Sequence, residues 1–446
     1  MKRHPIDLLL AFLVLTVLTA CNLPSAPAGI PSATSPRSTA PALLPTTAVP
    51  TPTPERTSPT PRPPTLTPRP PSRMPGPLIP TPIDLSTFPS VSWMGRNSLT
   101  QGWVYTGAQI LWTDDAGASW SDITPAGLSN CPEPDICSIS SPPVFLDPSQ
   151  VRISVIRGQE LVPPTTLSFM YTENGGRTWR LQQIADFAYS LLCPGPPCIT
   201  GADMEFPDPQ NGWLAAHAPL GMSSDIAYLY RTRDGGQTWT LLPIPITGRI
   251  TFIDASTGWA VGGKTRWTSD QLLETQDGGN SWQPIGLDFP VSYDETGYYL
   301  QEPVFLSHQA GVLPVRFYRD EDIHQLMGFY TTQNGGGTWS LSTTLQERDL
   351  RSFGRGGPIP WSAIDESTWF VAVSDAKQYL TRDRGQTWQA IAASGLSGAK
   401  LLEVQFVTET EGWGLGQICD RDTGCSQPMF ATHDGGRTWI PIAPAP

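Results

Sequence analysis

Positive charge is scarce in this chain: 28 Lys and Arg stand against 40 Asp and Glu, for a net charge of −12 and a pI near 4.9. Phosphate backbones are held by clustered Lys and Arg, so this shortage excludes a nucleic-acid partner. On an exported surface such acidity serves solubility. Histidine is scarcer still; the five present are scattered and supply no ligand set for a metal. The chain has no Ser-centred elbow, His-Glu-x-x-His or phosphate-cradling glycine loop. Nothing in it calls for a cofactor, and no catalytic residue is assigned. Charged residues of all kinds make up only 15%, while there are 48 prolines and 41 glycines. That balance excludes a helical protein and suits strands, turns and a non-globular segment.

The longest apolar run, Leu8 to Leu18, is short for a membrane span and follows Lys2 and Arg3, the pattern of an export signal. It ends in Leu18-Thr19-Ala20-Cys21, which resembles a bacterial lipobox. The resemblance implies removal of residues 1–20, lipid on the Cys21 thiol, and a cell-membrane lipoprotein on the extracytoplasmic face. The other cysteines form three close pairs, Cys131/Cys137, Cys193/Cys198 and Cys419/Cys425. In an exported chain, local disulfides that stiffen loops are the simplest of the possible pairings. Residues 21–82 carry the lipidated cysteine and then little but Pro, Thr and Ser. Such a segment cannot bury a core and is expected to be a disordered, extended spacer, reaching on the order of 150 Å if stretched. Apolar alternation resumes near Ile83 with Phe88, Val91 and Trp93, so the folded part is expected to span 83–446.

That part is built on repeats. Thr-x-Asp/Asn-x-Gly-x-Thr/Ser-Trp occurs seven times, starting at Thr113, Thr172, Thr232, Thr275, Thr332, Thr381 and Thr432. Its polar and aromatic members are Asp115 and Trp120, Asn174 and Trp179, Asp234 and Trp239, Asp277 and Trp282, Asn334 and Trp339, Asp383 and Trp388, and Asp434 and Trp439. Asp or Asn opening a tight turn accepts backbone N–H groups ahead of it, and Gly supplies the positive φ. Thr or Ser re-enters a strand, and Trp brings a large packing surface. Successive starts lie 59, 60, 43, 57, 49 and 51 residues apart, one four-stranded blade each.

A second element precedes each turn: Phe-x-Asp, a short loop, then Gly-Trp. It is clear at Phe206/Gly212-Trp213, Phe252/Gly258-Trp259 and Phe406/Gly412-Trp413. It is weaker at Phe145-Leu146-Asp147, Phe305 with Gly311-Val312, and Ala363-Ile364-Asp365 with Thr368-Trp369; Gly102-Trp103 serves the first blade. This hairpin is expected between a blade's first and second strands, and the Asp/Trp turn between its third and fourth. The prediction is an all-β, seven-bladed propeller of four-stranded blades. Its ring is closed by packing of blade one on blade seven, or by residues 83–88 as an added edge strand.

The Asp/Trp turn resembles the Asp-box, or bacterial neuraminidase repeat, of sialidases, xyloglucan-active glycoside hydrolases and the sortilin ectodomain. Paired with Phe-x-Asp and Gly-Trp, it is most similar to the photosystem II stability and assembly factor family. The resemblance covers about residues 88–442 and places the boxes at the blade periphery, away from the axis where propellers bind ligands. The arginine triad and Arg-Ile-Pro segment of sialidases are not matched; Arg152-Ile153-Ser154 and Val315-Arg316 come nearest.

Acidic candidates for glycoside hydrolysis are Asp203 with Glu205, Glu302, and Asp365 with Glu366; their expected role in a propeller is turn former or solvated loop charge. Arg348, Arg351 and Arg355 form the only basic cluster, a candidate anion site. The insertions at 124–144, 184–202 and 283–304 are candidate contact surfaces. Two functions follow: a monomeric binding or assembly scaffold with a protein or glycan partner, or a glycan-active hydrolase.

Overall fold

The computed structural model describes residues 88–129, 135–159, 162–187, 201–219, 225–263, 270–290, 297–318, 325–347, 358–374, 376–420 and 424–446. Cys131, Cys193, Cys198, Arg348, Arg351 and Arg355 lie outside them, as do the export signal and the spacer. Cys137 is disulfide-bonded, and Cys419 and Cys425 are joined to each other across a two-stranded extension of blade seven.

Seven antiparallel sheets follow one another along the chain, each a path of four strands. Blade one has Trp93–Arg96, Gly102–Tyr105, Ile110–Thr113 and Ser121–Asp122. Blade three has Gly201–Glu205, Gly212–Pro219, Asp225–Thr232 and Thr240–Leu242. In blades two and five the first strand is broken, so that Asp135–Ile139 and Val144–Phe145 share one partner, as do Gly297–Leu300 and Val304–Phe305. The seven-bladed propeller expected from the repeats is the observed fold.

Each Asp/Trp turn joins the third strand to the fourth. In blade three the Thr232 hydroxyl donates to Asp234 Oδ1 at 2.8 Å and accepts the Gly236 N–H at 2.8 Å. Asp234 then accepts the Thr238 N–H at 2.9 Å and the Thr238 hydroxyl at 2.6 Å. The Thr hydroxyl to Asp or Asn bond, and the N–H bond back to that same side chain, recur at all seven turns. So many donors hold the Asp115 and Asp277 carboxyls down at about 2. Two successive residues have positive φ in each turn; Ala116 (φ 63) and Arg384 (φ 60) do so without being glycine.

The hairpin between first and second strands sets how blades pack. Phe252, Phe305 and Phe406 each lie opposite a glycine, Gly258, Gly311 and Gly412. The residue after that glycine reaches the next blade's Phe position. Trp103 stacks on Phe145 at 5.4 Å, Trp213 on Phe252 at 3.8 Å and Trp259 on Phe305 at 4.1 Å. Blade six differs from the sequence reading. There Ala363 pairs with Trp369, so Trp369 takes the glycine position and Phe370 the Trp position. Phe370 accordingly meets Phe406 at 4.3 Å. Val312 and Ala363 share a core cluster between blades five and six. Arginine serves twice: Arg152 lies over Phe206 at 5.8 Å, and Arg96 over Trp413 at 5.2 Å.

The last of these contacts closes the ring. Among the described residues no strand is exchanged between the chain ends; blade one packs face to face on blade seven. Val91, Met94, Val104, Leu111 and Trp120 share one core cluster with Trp413, Leu415, Met429 and Ala431. The Val91 N–H donates to the Gln427 carbonyl at 2.9 Å, and the Arg96 N–H to Gln405 Oε1 at 2.8 Å. Of the two closures expected, face packing is the one observed among the described residues.

Candidate functional site: the axial cavity

First strands from all seven blades surround a cavity of about 1010 Å³. Period-2 alternation decides what faces it. In Gly201–Glu205, Ala202 and Met204 pack between blades, leaving Gly201, Asp203 and Glu205 for the axis. In Thr247–Phe252 the buried residues are Ile250 and Phe252, and Arg249 faces inward. In Lys400–Phe406 a register shift between Leu401 and Glu403 accompanies Glu403 and Gln405 lining the cavity.

Counting back three residues from each blade's Phe position gives Trp93, Pro142, Asp203, Arg249, Glu302, Pro360 and Glu403. All seven line the cavity. Blades three, four, five and seven therefore present charge, whereas blades one, two and six present proline and Trp93, with Trp361 beside Pro360.

The charges are unevenly satisfied. Arg249 donates to Glu302 at 2.9 Å, and that carboxylate raises the guanidinium's pKa above its ordinary value. Asp203 Oδ2 lies 2.9 Å from His217 Nε2. Glu403 accepts from Gln405 Nε2 at 2.7 Å, and the same amide bridges to the Met94 carbonyl at 3.2 Å. The Glu205 carboxyl has no hydrogen-bond partner among the described residues. Glu205 lies half-buried in the cavity wall, and this burial, followed by repulsion from Glu302 and Asp203, pushes its carboxyl up to about 8. Burial likewise takes Glu403 to about 7, opposed by the Gln405 bond. Glu302 is raised by burial and held back by Arg249.

Of the acidic candidates from the sequence, Asp203, Glu205 and Glu302 thus gather at the axis instead of forming turns or loop charges. Asp365 is a turn former that accepts the Ser367 and Thr368 N–H groups, and Glu366 pairs with Arg384 on the surface. Glu403, Arg249 and His217 are additions the sequence did not single out. Trp93 and Trp361 stand outside both repeated motifs; each lines the cavity while its ring packs on Tyr105 or Phe329. Among the described residues no group of three or more His, Cys, Asp or Glu could hold a metal ion, and no helix is long and apolar enough to cross a membrane.

No protein-family model and no curated protein matches the chain. Among solved structures it is similar to YCF48 bound to a D1 peptide, at 16% identity over 80% of this chain and 96% of that one, with a TM-score of 0.44. YCF48 from Cyanidioschyzon merolae gives 16%, 78%, 96% and 0.44. A polysaccharide lyase of family PL25, an ulvan lyase bound to its glycan, gives 10%, 67%, 81% and 0.42. None of these likenesses assigns a role to a residue of this chain.

Proposed function

We propose that the chain is a binding or assembly scaffold displayed outside a membrane, anchored through lipid on Cys21 and engaging its partner through the axial cavity. The observation that carries this reading is the cavity itself. Its wall combines tryptophan and proline with a few convergent polar groups, the mixture that binding pockets use. The Asp/Trp turns, which resemble Asp-boxes, serve the blades: their carboxylates are consumed by turn N–H groups and hydroxyls. This leaves the unrepeated axial residues to make function, and the repeats resemble those of the photosystem assembly factor family. The test is photo-crosslinking in native membranes with the full chain. A probe replacing Gln405 should capture one partner that a probe at Asp114, in an outer turn, does not. Cys21→Ser should release the protein from the membrane; a variant that stayed fully lipidated would refute the anchor.

A second reading starts from the shared axial wall of Asp203, Glu205 and Glu302. Burial and the neighbouring Glu302 and Asp203 push the Glu205 carboxyl up to about 8, the direction a general acid in glycoside hydrolysis needs. Turnover of any polysaccharide or sialoside that Glu205→Gln abolishes would favour the hydrolase over the scaffold.

A further inference from the structure

We infer that the axial cavity is a binding site for an extended organic cation, with Glu205 as the main counter-ion and the Trp93 and Trp361 rings as the apolar wall. The inference rests on the scaffold reading above and names the chemistry of what enters.

Among the described residues four carboxylates line the cavity, Asp203, Glu205, Glu302 and Glu403, against one guanidinium, Arg249. Arg249 is engaged by Glu302, His217 by Asp203, and Glu403 by the Gln405 amide. Glu205 alone of the four has no such partner, although it is half-buried in the cavity wall. Even a half-buried carboxylate without a donor is disfavoured, and proteins normally pair it or leave it protonated. An entering ammonium or guanidinium supplies the missing donor and charge together.

Other occupants fit less well. An anion would meet an excess of carboxylates. A hard cation needs several oxygens converging on one point, and among the described residues no such group exists. A neutral glycan could stack on tryptophan but would bring no positive charge to a wall in which carboxyls outnumber the guanidinium. An alkylammonium or alkylguanidinium suits both halves of the wall, its head among the carboxylates and its methylenes or planar face on an indole. The volume, about 1010 Å³, admits an extended chain and not merely a single ammonium ion.

Binding should be linked to protons. Near neutral pH Glu205 holds its proton much of the time, and Glu403 part of it. The groups facing Glu205 are Glu302 and Asp203, and those facing Glu403 are Arg249 and Glu302. A cation stabilises the ionised form, so it expels a proton on entry, and affinity climbs as pH rises through about 7 to about 8.

Calorimetry on the full chain tests this with spermidine and with Lys- and Arg-centred tripeptides, between pH 6 and 9 and in two buffers of different ionisation enthalpy. The expected result is proton release at pH 7, about tenfold tighter binding at pH 9 than at pH 6, and about tenfold loss in Glu205→Gln. Glu403→Gln should give a smaller loss, and Asp114→Asn none. Equal affinity for spermidine and peptides would make a free amine the source; a preference for peptide would make it a protein side chain; both support the site. Absence of binding by every amine at millimolar concentration, or binding indifferent to both axial substitutions, overturns it. If a partner still crosslinks from the axial wall in that case, the cation is wrong and the scaffold reading stands; if neither is seen, both fall.

Discussion

The guanidinium of Arg96 lies 5.2 Å from the centre of the Trp413 ring, where three other blade interfaces stack Trp on Phe. Arg96 pairs with Gly102 as Phe406 pairs with Gly412, so an arginine occupies the Phe position at the seam between the chain's ends. Its side chain is 1% exposed. It donates to the Leu99 carbonyl at 3.2 Å and to Glu411 at 3.2 Å, while Nη1 has no partner among the described residues. Burial lowers its pKa, and the Glu411 contact opposes that.

The seam should therefore be sensitive to this one side chain. Arg96→Ala uncovers Trp413 and strands the Leu99 carbonyl and Glu411, an expected loss of about 2–4 kcal/mol. Arg96→Phe restores the aromatic contact used elsewhere and should lose clearly less. Urea unfolding of the two variants decides it; equal losses would mean that the stack contributes little.

The turns offer a built-in control. Asn174 and Asn334 do natively what Asp234 does, accepting the Thr178 and Thr338 N–H groups. Asp234→Asn should stay within about 0.5 kcal/mol of the parent, whereas Asp234→Ala should cost about 1–2 kcal/mol, because the Thr238 N–H and hydroxyl lose their acceptor. The ionised turns also give an acid limit. Asp115 and Asp277 sit at about 2 in the fold against about 3.9 in an unfolded chain. Their contribution is present above pH 4 and is lost as pH falls toward 2, so the melting temperature should drop across that interval.

How much of this was legible in the sequence follows from where each signal resides. The turn and the Phe/Gly hairpin are local, so their residues recur at near-fixed spacing and reveal blade number and hairpin order. Blade six misleads for the same reason: Thr368-Trp369 looks like Gly-Trp, but the register of Ala363 against Trp369 moves both roles one residue on. The axial chemistry is non-local. Asp203, Arg249, Glu302 and Glu403 share one register position and nothing else, and they converge only when the ring closes. A faint signal was present in Glu403, a lone charge between Leu402 and Val404, and in Asp203 between Ala202 and Met204. Lining up the first strands on their Phe positions would have collected all four.

The Phe/Gly pairing can be tested as a coupling. A Cβ on Gly212 would fall 2.3 Å from the Phe206 ring, too close for either to stay in place. Gly212→Ala should cost about 1–3 kcal/mol. In a Phe206→Ala background the same change should be nearly neutral, since blade six natively combines Ala363 with the much larger Trp369. A double-mutant cycle reads the coupling directly, and additive losses would show that the ring does not set the glycine requirement.

The axial carboxylates make the last prediction, because their shifts run opposite to those of the turns. Glu205 rises from 4.5 to about 8 on folding, so the folded state holds a proton that the unfolded chain has released at neutral pH. Stability then falls as pH climbs from about 4.5 and levels off once pH passes about 8. Glu205→Gln removes the ionisation without removing the volume. It should match the parent near pH 5 and exceed it by about 2–4 °C in melting temperature at pH 8.5. Glu403→Gln should do the same to a lesser degree, with its change centred nearer pH 7. The comparison is made without ligand, because an added cation would pair with the axial carboxylates and would itself raise the parent's melting temperature at high pH. A Glu205→Gln curve parallel to the parent's from pH 5 to 9 would mean that Glu205 ionises in the fold as it does in water, and that the cavity is far more open to solvent than its wall implies.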